Sequence, residues 1–312
     1  MNTLSSRVEK IPCSARAYVP GHVTGIFRIH DSHEDPLHCG STGAGFCLAA
    51  GTTTTVKLEE NPFLEISVEY NDSKIDAPVT VTVIRRLLEN NDSDYRIHVK
   101  HESSLPIGVG FGASGAGALG TALALSHLLG QSNDIQSTAS HAHYAEVVNR
   151  TGLGDVIAQT TGGMEIRIRP GAPGIGKVVN IPFPDDLQVV LAGAPGLETR
   201  SVLSDKDHRE RIIKAADGLM GELMDNPSVE QFISSSREFA LATNLMTSRV
   251  RSSLDDLESQ GFNESSMVMI GDSVFCFTEP GTSQRAADIL AKRWSQSEIL
   301  ISSISDNGGR LV

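Results

Sequence analysis

Pro106-Ile-Gly-Val-Gly110-Phe-Gly112-Ala-Ser114-Gly115-Ala116 opens a segment, Ser103 to Asn133, that contains no Asp, Glu, Lys or Arg. Six glycines (108, 110, 112, 115, 117 and 120) fall within its early part. Such clusters mark backbone that turns sharply or approaches a ligand closely. The segment is long enough to cross a bilayer, and Gly108-x-x-x-Gly112 mimics a helix-packing motif. Pro106, the early glycines and Ser114, Thr121, Ser126 and His127 argue against a span. Gly110-x-Gly112-x-x-Gly115 also satisfies the dinucleotide fingerprint, which needs an acidic residue about 20 positions on, ending a second strand. Asp134 lies near that distance but follows Gly130-Gln-Ser-Asn, a loop entering another helix. An NAD(P)-binding oxidoreductase therefore stands as the alternative from another class. Gly171-Ala-Pro-Gly-Ile-Gly176-Lys177 resembles a P-loop opening, yet Val178 stands where a metal-binding hydroxyl is needed, and a strand rather than a helix follows. The remaining reading is a phosphate cradle. Glycines wrap backbone around phosphate oxygens, and the free N–H groups of the following helix supply donors and a positive dipole end.

Composition narrows the classes. The 312 residues suit two domains or one large one at about 150 per domain. Acidic residues outnumber basic ones, 38 to 26, for a net charge of −12, which argues against nucleic-acid and anionic-membrane binding. Hydrophobic content of 39% supports a buried core, and aromatic content of 5% disfavours a base-stacking surface. Cys13, Cys39, Cys47 and Cys276 form no CxxC pair, as expected of reduced thiols. No apolar run marks a signal peptide near Met1, so the chain reads as a cytoplasmic enzyme.

Around the glycine cluster the pattern alternates strand and helix. Ala15–Val19 predicts a strand ended by a Pro20-Gly21 turn, and Gly40–Gly45 a ligand-facing loop. Strands are expected at Thr52–Leu58, Leu64–Tyr70, Tyr95–His101 and Met164–Arg169, and helices at 78–90, about Ser114–Leu129 and Ile135–Asn149. After the Gly/Pro-rich stretch 170–184 come a strand at Leu187–Ala192, helices around 204–224, 227–248 and 249–260, and a strand at Met267–Phe277. A helix at 281–294 and a strand near 298–304 follow. These elements give an α+β chain in two halves.

The segment 106–116 resembles the P-x-x-x-G-L-G-S-S-[AG]-A phosphate loop of the GHMP kinases, with Phe111 for the usual Leu and Ala113 for the first Ser. The resemblance runs from about residue 14 over nearly the whole chain. It implies a two-domain fold with a ribosomal protein S5 domain 2-like N-terminal half and a ferredoxin-like C-terminal half. The divisions are a leader at 1–13, then 14–178 and 179–312. It also implies ATP and Mg²⁺ as cofactors and commonly a homodimer. Pro106, Gly108, Gly110, Gly112, Ala113, Ser114, Gly115 and Ala116 would hold the nucleotide. Ala145-Glu146 and Gly152-Leu-Gly154-Asp155 are similar to the mevalonate kinase segments that bind Mg²⁺ and face the acceptor hydroxyl. Ser114 and Glu146 would thus hold the metal and Asp155 would orient or deprotonate the acceptor. Met267–Ser273 approximates the third family motif without its run of glycines.

Residues 22–45, with His22-Val-Thr24, His33–Leu37 and Gly40–Gly45, look like the archaeal pantoate kinases within that family, as does Thr199–Leu203. The implied acceptor is pantoate, phosphorylated on its primary hydroxyl for coenzyme A synthesis; a homoserine or mevalonate type is the nearest alternative. A small carboxylate needs a cation or convergent donors. His22, Thr24, Arg28, Ser41, Thr42, Gly43 and Arg200 are the candidates, with His22 where relatives of the mevalonate type carry Lys or Arg. His30, His33, His38 and Cys39 read as polar loop residues, since Pro36 breaks any helix that would align two metal ligands.

Overall fold

The structure, a computed structural model, describes residues 12–89, 91, 94–131, 134–196 and 199–312, the side chains of residues 199, 200 and 203 excepted. The expected leader at 1–13 lies outside the described residues up to residue 11, and Cys13 already begins a strand. In chain order the first half holds β1 (Cys13–His30), β2 (Gly40–Glu60), β3 (Glu65–Tyr70), β4 (Ser73–Lys74), α1 (Pro78–Leu87), β5 (Tyr95–Ser103), α2 (Ala113–Leu128), α3 (Ile135–Asn149), α4 (Asp155–Thr161), β6 (Met164–Arg169) and β7 (Lys177–Ile181). The second holds β8 (Gln188–Ala194), α5 (Thr199–Ser204), α6 (Lys206–Ala216), α7 (Leu219–Asp225), α8 (Val229–Thr243), α9 (Ser248–Ser259), β9 (Ser265–Met267), β10 (Asp272–Thr278), α10 (Ser283–Leu290), β11 (Ile299–Ser303) and β12 (Arg310–Leu311).

The first sheet runs β12-β1-β2-β5-β3-β4, with β6 on β2 and β7 on β6. β2 is its hub. It pairs with β1 along almost its whole length, with β5 through Thr52–Glu60 and with β6 through Gly43–Phe46. The second sheet runs β11-β8-β10-β9, all antiparallel. Numbered within that half it reads 4-1-3-2, with helices between its first two and last two strands, which is the ferredoxin-like arrangement.

Three glycine-based readings are corrected by strand pairing. Pro20-Gly21 makes no chain-reversing turn; β1 continues through it with a register shift, and the Pro20 carbonyl accepts from Gln159 Nε2 at 2.9 Å. Gly40–Gly45 is the first part of β2, not a loop. Glycine is required at position 45 because a Cβ there would lie 2.3 Å from the Val23 carbonyl oxygen and 2.6 Å from His22 Nε2. The stretch 170–184 contains β7, which closes the first sheet. The expected strand Met267–Phe277 is instead two, β9 and β10, joined by a tight connection, and the helical region 204–224 divides at Gly218.

Gly112 caps α2 in the left-handed conformation (φ 72°), and Gly130 (φ 63°) lies just past its end. Almost every residue between is buried, because α2 packs on β1, β2, α1 and α3. Its lack of charge thus reflects burial in protein. Among the described residues no helix is long and apolar enough to cross a membrane.

The two sheets share one core. Phe46 of β2 packs edge-to-face on Phe275 at 5.2 Å and on Phe232 of α8 at 6.0 Å, and tilted against Phe277 at 4.9 Å, Phe275 and Phe277 both belonging to β10. Phe46→Ala is expected to cost about 3–5 kcal/mol through lost transfer energy and the cavity left at this joint. Urea unfolding measures it; a loss under about 1 kcal/mol would show that the joint rests elsewhere.

Candidate active site

A cleft of about 600 Å³ opens along the N-terminus of α2. One end is lined by Tyr70, Ile75–Thr80 and Ile107, the other by Thr24, Phe27, Ser41, Met269 and Ile270; the turn Thr151–Asp155 lies on its wall. Before α2 the backbone takes positive φ at Gly108 (80°), Gly110 (83°) and Gly112 (72°). Alternation of this kind turns successive N–H groups inward as an anion-binding concavity. The first-turn amides of Ala113, Ser114 and Gly115 precede the Ala116 N–H, which already donates to Gly112 O at 3.0 Å. A Cβ on Gly112 would meet Gln159 Nε2 and the His22 amide nitrogen, both at 2.9 Å. The glycine there is demanded by packing beneath the loop as much as by room for a ligand.

The loop is supported from below by the second half. Ser273 Oγ donates to Val109 O at 2.8 Å, and a Cβ on Gly110 would lie 2.9 Å from Ile270 O. Met269 N donates to Thr24 O at 3.0 Å, so the β9–β10 connection bridges the phosphate loop and β1. Ile270 takes positive φ (59°), an unusual state for a β-branched residue, on the cleft wall.

Two acidic side chains, Glu146 and Asp155, come together under this loop, and a third, Glu165, lies on the far side of the His22 ring. Ser114 Oγ donates to Glu146 Oε1 at 2.5 Å, so Ser114 engages α3 rather than capping its own helix. Glu146 is buried, and its Oε2 has no hydrogen-bond partner. That oxygen and Asp155 Oδ2 lie 2.4 and 3.0 Å from where a Gly152 Cβ would be, so the two carboxylates converge over Gly152. Burial pushes the Glu146 carboxyl up to about 7, against the lowering effect of the Ser114 bond, with the Asp155 charge adding to the rise. An unpartnered anionic oxygen beside a hydroxyl and a second carboxylate is a hard oxygen set that fits Mg²⁺. Asp155, first residue of α4, keeps about a quarter of its side chain exposed, and its Oδ1 lies 2.7 Å from His22 Nδ1. His22 Nε2 lies 2.9 Å from Glu165 Oε1, and Arg167 Nη1 donates to the same oxygen.

Of the residues picked out from sequence, the cleft wall includes Pro106, Gly108, Gly110, Gly112, Ala113, Ser114, Gly115, Glu146, Asp155, Thr24 and Ser41. Ala116 is buried behind it. His22 is fully buried and reaches Asp155 rather than the cleft. Arg28 turns to Asp217 at 3.6 Å on the surface, Thr42 bonds His30 Nε2 at 3.0 Å, and Gly43 packs against Ile26 O and Arg167. The side chain of Arg200 lies outside the described residues. His33 and His38 stack on each other at 4.7 Å, and among the described residues no three His, Cys, Asp or Glu side chains are grouped to hold a metal.

Sequence reasoning missed Glu165, Arg167 and Arg150. Glu165 and Arg167 share one face of β6, and both are buried. An acid–base pair two residues apart, flanked by the apolar Met164, Ile166 and Ile168, was the available signal. Arg150, the left-handed C-cap of α3, is the one Lys or Arg among the described residues lining the cleft.

The chain after α2 runs on through α3 and α4 and returns as β6 antiparallel to β2. The parallel β-α-β unit of a dinucleotide fold is therefore not formed from the Gly110-x-Gly112-x-x-Gly115 segment. Residues 79–163 match the family model of the GHMP kinases N terminal domain. A pantoate kinase of Thermococcus kodakarensis is 36% identical over 280 residues, 88% of this chain and 91% of its own length. One from Methanocaldococcus jannaschii is 33% identical over 278 residues, 88% of this chain and 96% of its own. The chain belongs to the pantoate kinase family of GHMP kinases. A solved structure described as a phosphotransferase related to the CoA biosynthesis pathway superposes with a TM-score of 0.86 at 33% identity, covering 96% of this chain and 99% of that one. The family's two-sheet α+β fold is thus the fold of this chain.

The state of Glu146 has a measurable consequence. Its folded-state value lies above the ordinary 4.5, so the penalty for ionising it is absent at lower pH and grows as pH rises through about 7. Glu146→Gln removes an unpaired buried charge. The variant is expected to melt higher than wild type at pH 8 without nucleotide, by an increment on the order of 3 kcal/mol, and to converge with it near pH 5. Calorimetry at the two pH values checks this; equal melting at pH 8 would mean that Glu146 is compensated in the folded state.

Proposed function

We propose that this protein transfers the γ-phosphoryl group of ATP to the primary hydroxyl of pantoate, giving 4-phosphopantoate for coenzyme A synthesis. The observation that carries the reading is the convergence of Glu146 Oε2 and Asp155 Oδ2 over Gly152, beside the inward amides of a glycine loop. Phosphoryl transfer demands little covalent chemistry from the protein; positioning and charge neutralisation supply most of the rate. The amides of Ala113–Gly115 and the turn at Gly108–Gly112 would cradle the triphosphate. Ser114 and Glu146 would hold Mg²⁺, which would offset the charge of the phosphates.

Asp155 lines the cleft with its Oδ1 engaged by His22, and its Oδ2 would accept the hydroxyl proton at the acceptor end of the cleft. Arg150 also lines the cleft, with its Nη1 3.5 Å from Ser204 Oγ, and would supply positive charge there. The acceptor carboxylate needs a donor set of its own. Ser41 lines that end, and its hydroxyl lies 2.5 Å from where a Gly154 Cβ would be. Arg167 Nε lies 2.7 Å from the same point, and its Nε and Nη2 are buried without partners. A buried guanidinium with two unused donors beside a serine hydroxyl suits a small carboxylate. Arg28, paired on the surface with Asp217, is not available for this.

In a coupled ADP-release assay with Mg-ATP, pantoate is expected to support turnover, while homoserine and mevalonate do not; turnover with either of those alone would replace pantoate as the acceptor. Asp155→Asn should lower kcat by about 100-fold or more while leaving the affinity for a non-hydrolysable ATP analogue within a few fold. Wild-type turnover in that variant would remove Asp155 from the chemistry.

A further inference from the structure

His22 was expected at the substrate and is instead sealed from it. No part of it is exposed, and both ring nitrogens end on carboxylates, Asp155 Oδ1 at 2.7 Å and Glu165 Oε1 at 2.9 Å. Its backbone N–H donates to Phe111 O at 3.0 Å, which ties the ring's position to the phosphate loop. Glycine at 45 and at 112 leaves the space that the residue occupies.

We propose that His22 is a positioning residue for phosphoryl transfer: held by Glu165, it pins Oδ1 of Asp155 and so presents Oδ2 to the acceptor hydroxyl. This rests on Asp155 being the acceptor-side base. A carboxylate free to rotate about its Cβ–Cγ bond offers either oxygen and a spread of angles. One with an oxygen engaged by a ring that cannot move offers the other in a fixed direction. Fixing that geometry before the reaction removes reorganisation from the barrier.

The charges close. With both carboxylates ionised, neither ring nitrogen has a proton to accept, so both donate and the ring is an imidazolium. Arg167, whose Nη1 also donates to Glu165 and lies 3.4 Å from His22 Nε2, completes a set of two anions and two cations. Cys47 of β2 is the further titratable group beside this set; burial, then the charges of Glu165 and Asp155, hold its thiol well above 9, hence neutral. A set without net charge can be buried where a single ion cannot. The electrostatics run the same way. Burial alone would depress His22, but Glu165 and Asp155 together hold it above 6.5; burial would raise Asp155, but His22 and Arg167 hold it below 3.8.

Glu165 is thus the far support of the array. It touches neither cleft nor ligand, and its effect passes through the imidazole, as a carboxylate fixes the orientation of a histidine in other enzymes. His22→Gln keeps one amide donor and removes the charge; Glu165→Gln keeps the His22–Asp155 bond and loosens the ring.

The test measures both variants and the wild type. His22→Gln is expected to lower kcat by about 100-fold, with KM for pantoate and affinity for an ATP analogue each within about threefold of wild type. Glu165→Gln is expected to lower kcat by about 10-fold with unchanged ATP-analogue affinity, while its KM for pantoate also rises because Arg167 loses its partner. His22→Lys, which restores a cation and donor, should recover part of the His22→Gln loss. A His22→Gln variant that keeps kcat and raises KM for pantoate instead would make His22 a substrate contact and overturn the proposal, as would unchanged kinetics. Because either variant could misfold, ¹⁵N-histidine NMR of the wild-type protein at pH 7 provides the second measurement. Both His22 ring nitrogens are expected to carry protons, and a neutral single tautomer overturns the array. Should wild-type enzyme fail to phosphorylate pantoate, the functional reading fails, while the NMR result still decides the state of His22.

Discussion

Everything near the cleft follows from holding three carboxylates, two of them fully buried and Asp155 partly exposed, within one small region. Glu146, Asp155 and Glu165 sit under a glycine loop in a chain that already carries a net charge of −12. Isolated buried anions of this kind are expensive, and two of the three are matched by His22 and Arg167, cations from separate strands. The third, Glu146, has only a serine hydroxyl, and its carboxyl is correspondingly reluctant to ionise. The imbalance falls where a Mg²⁺ ion would bring positive charge. The chain thus pairs Asp155 and Glu165 internally and leaves one oxygen of Glu146 short of a partner.

That arrangement explains the length of the first two strands. His22 lies in the middle of β1 and its partner Cys47 in β2, while Glu165 and Arg167 enter beside them from β6. Only a continuous sheet holds three strands in register closely enough to align a ring between two carboxylates. Pro20 would ordinarily confine β1 to an edge or a bulge, and here the register shifts at that point. Gln159 from α4 takes up the Pro20 carbonyl and also donates to Gly112 O at 2.9 Å, so one buried amide couples the irregular strand, the loop and the helix that begins with Asp155.

Local signals in the sequence succeeded where the physics is local. The helix α2 was legible because glycines bracket it, and α3 because Asp134 precedes it and accepts from the Gln136 and Ser137 amides. The convergence of the loop with Glu146 and Asp155 was legible only through family resemblance, since Ser114 and Glu146 lie 32 residues apart on successive helices. Gly40–Gly45 misled because glycine reads alike whether it makes room for a ligand or for a neighbouring side chain; at position 45 the neighbour is the His22 ring. Arg28 misled because a basic residue near the acceptor segment gives no sign of which face of its strand it takes. Glu165 and Arg167 were passed over because the alternation of Met164–Arg169 suggested one solvated face, whereas β6 buries both.

The net negative charge of the chain now bears on how specificity is built. An anionic protein that binds a triphosphate and a carboxylate together gains nothing from its long-range field, which repels both. Attraction must come from donors whose geometry is set before the ligand arrives: the amides at the start of α2, the unused nitrogens of Arg167 and the Arg150 head group. Each is short-ranged, and the two arginines are set apart, Arg150 on the cleft wall and Arg167 buried behind Gly154. An anion that met only one of these sets would gain too little to offset the field. A pair of anions joined at the correct separation, as phosphoryl donor and carboxylate acceptor are in the transition state, meets all of them. The acidic surface thereby acts against weakly matched anions, and discrimination rests on spacing more than on total charge.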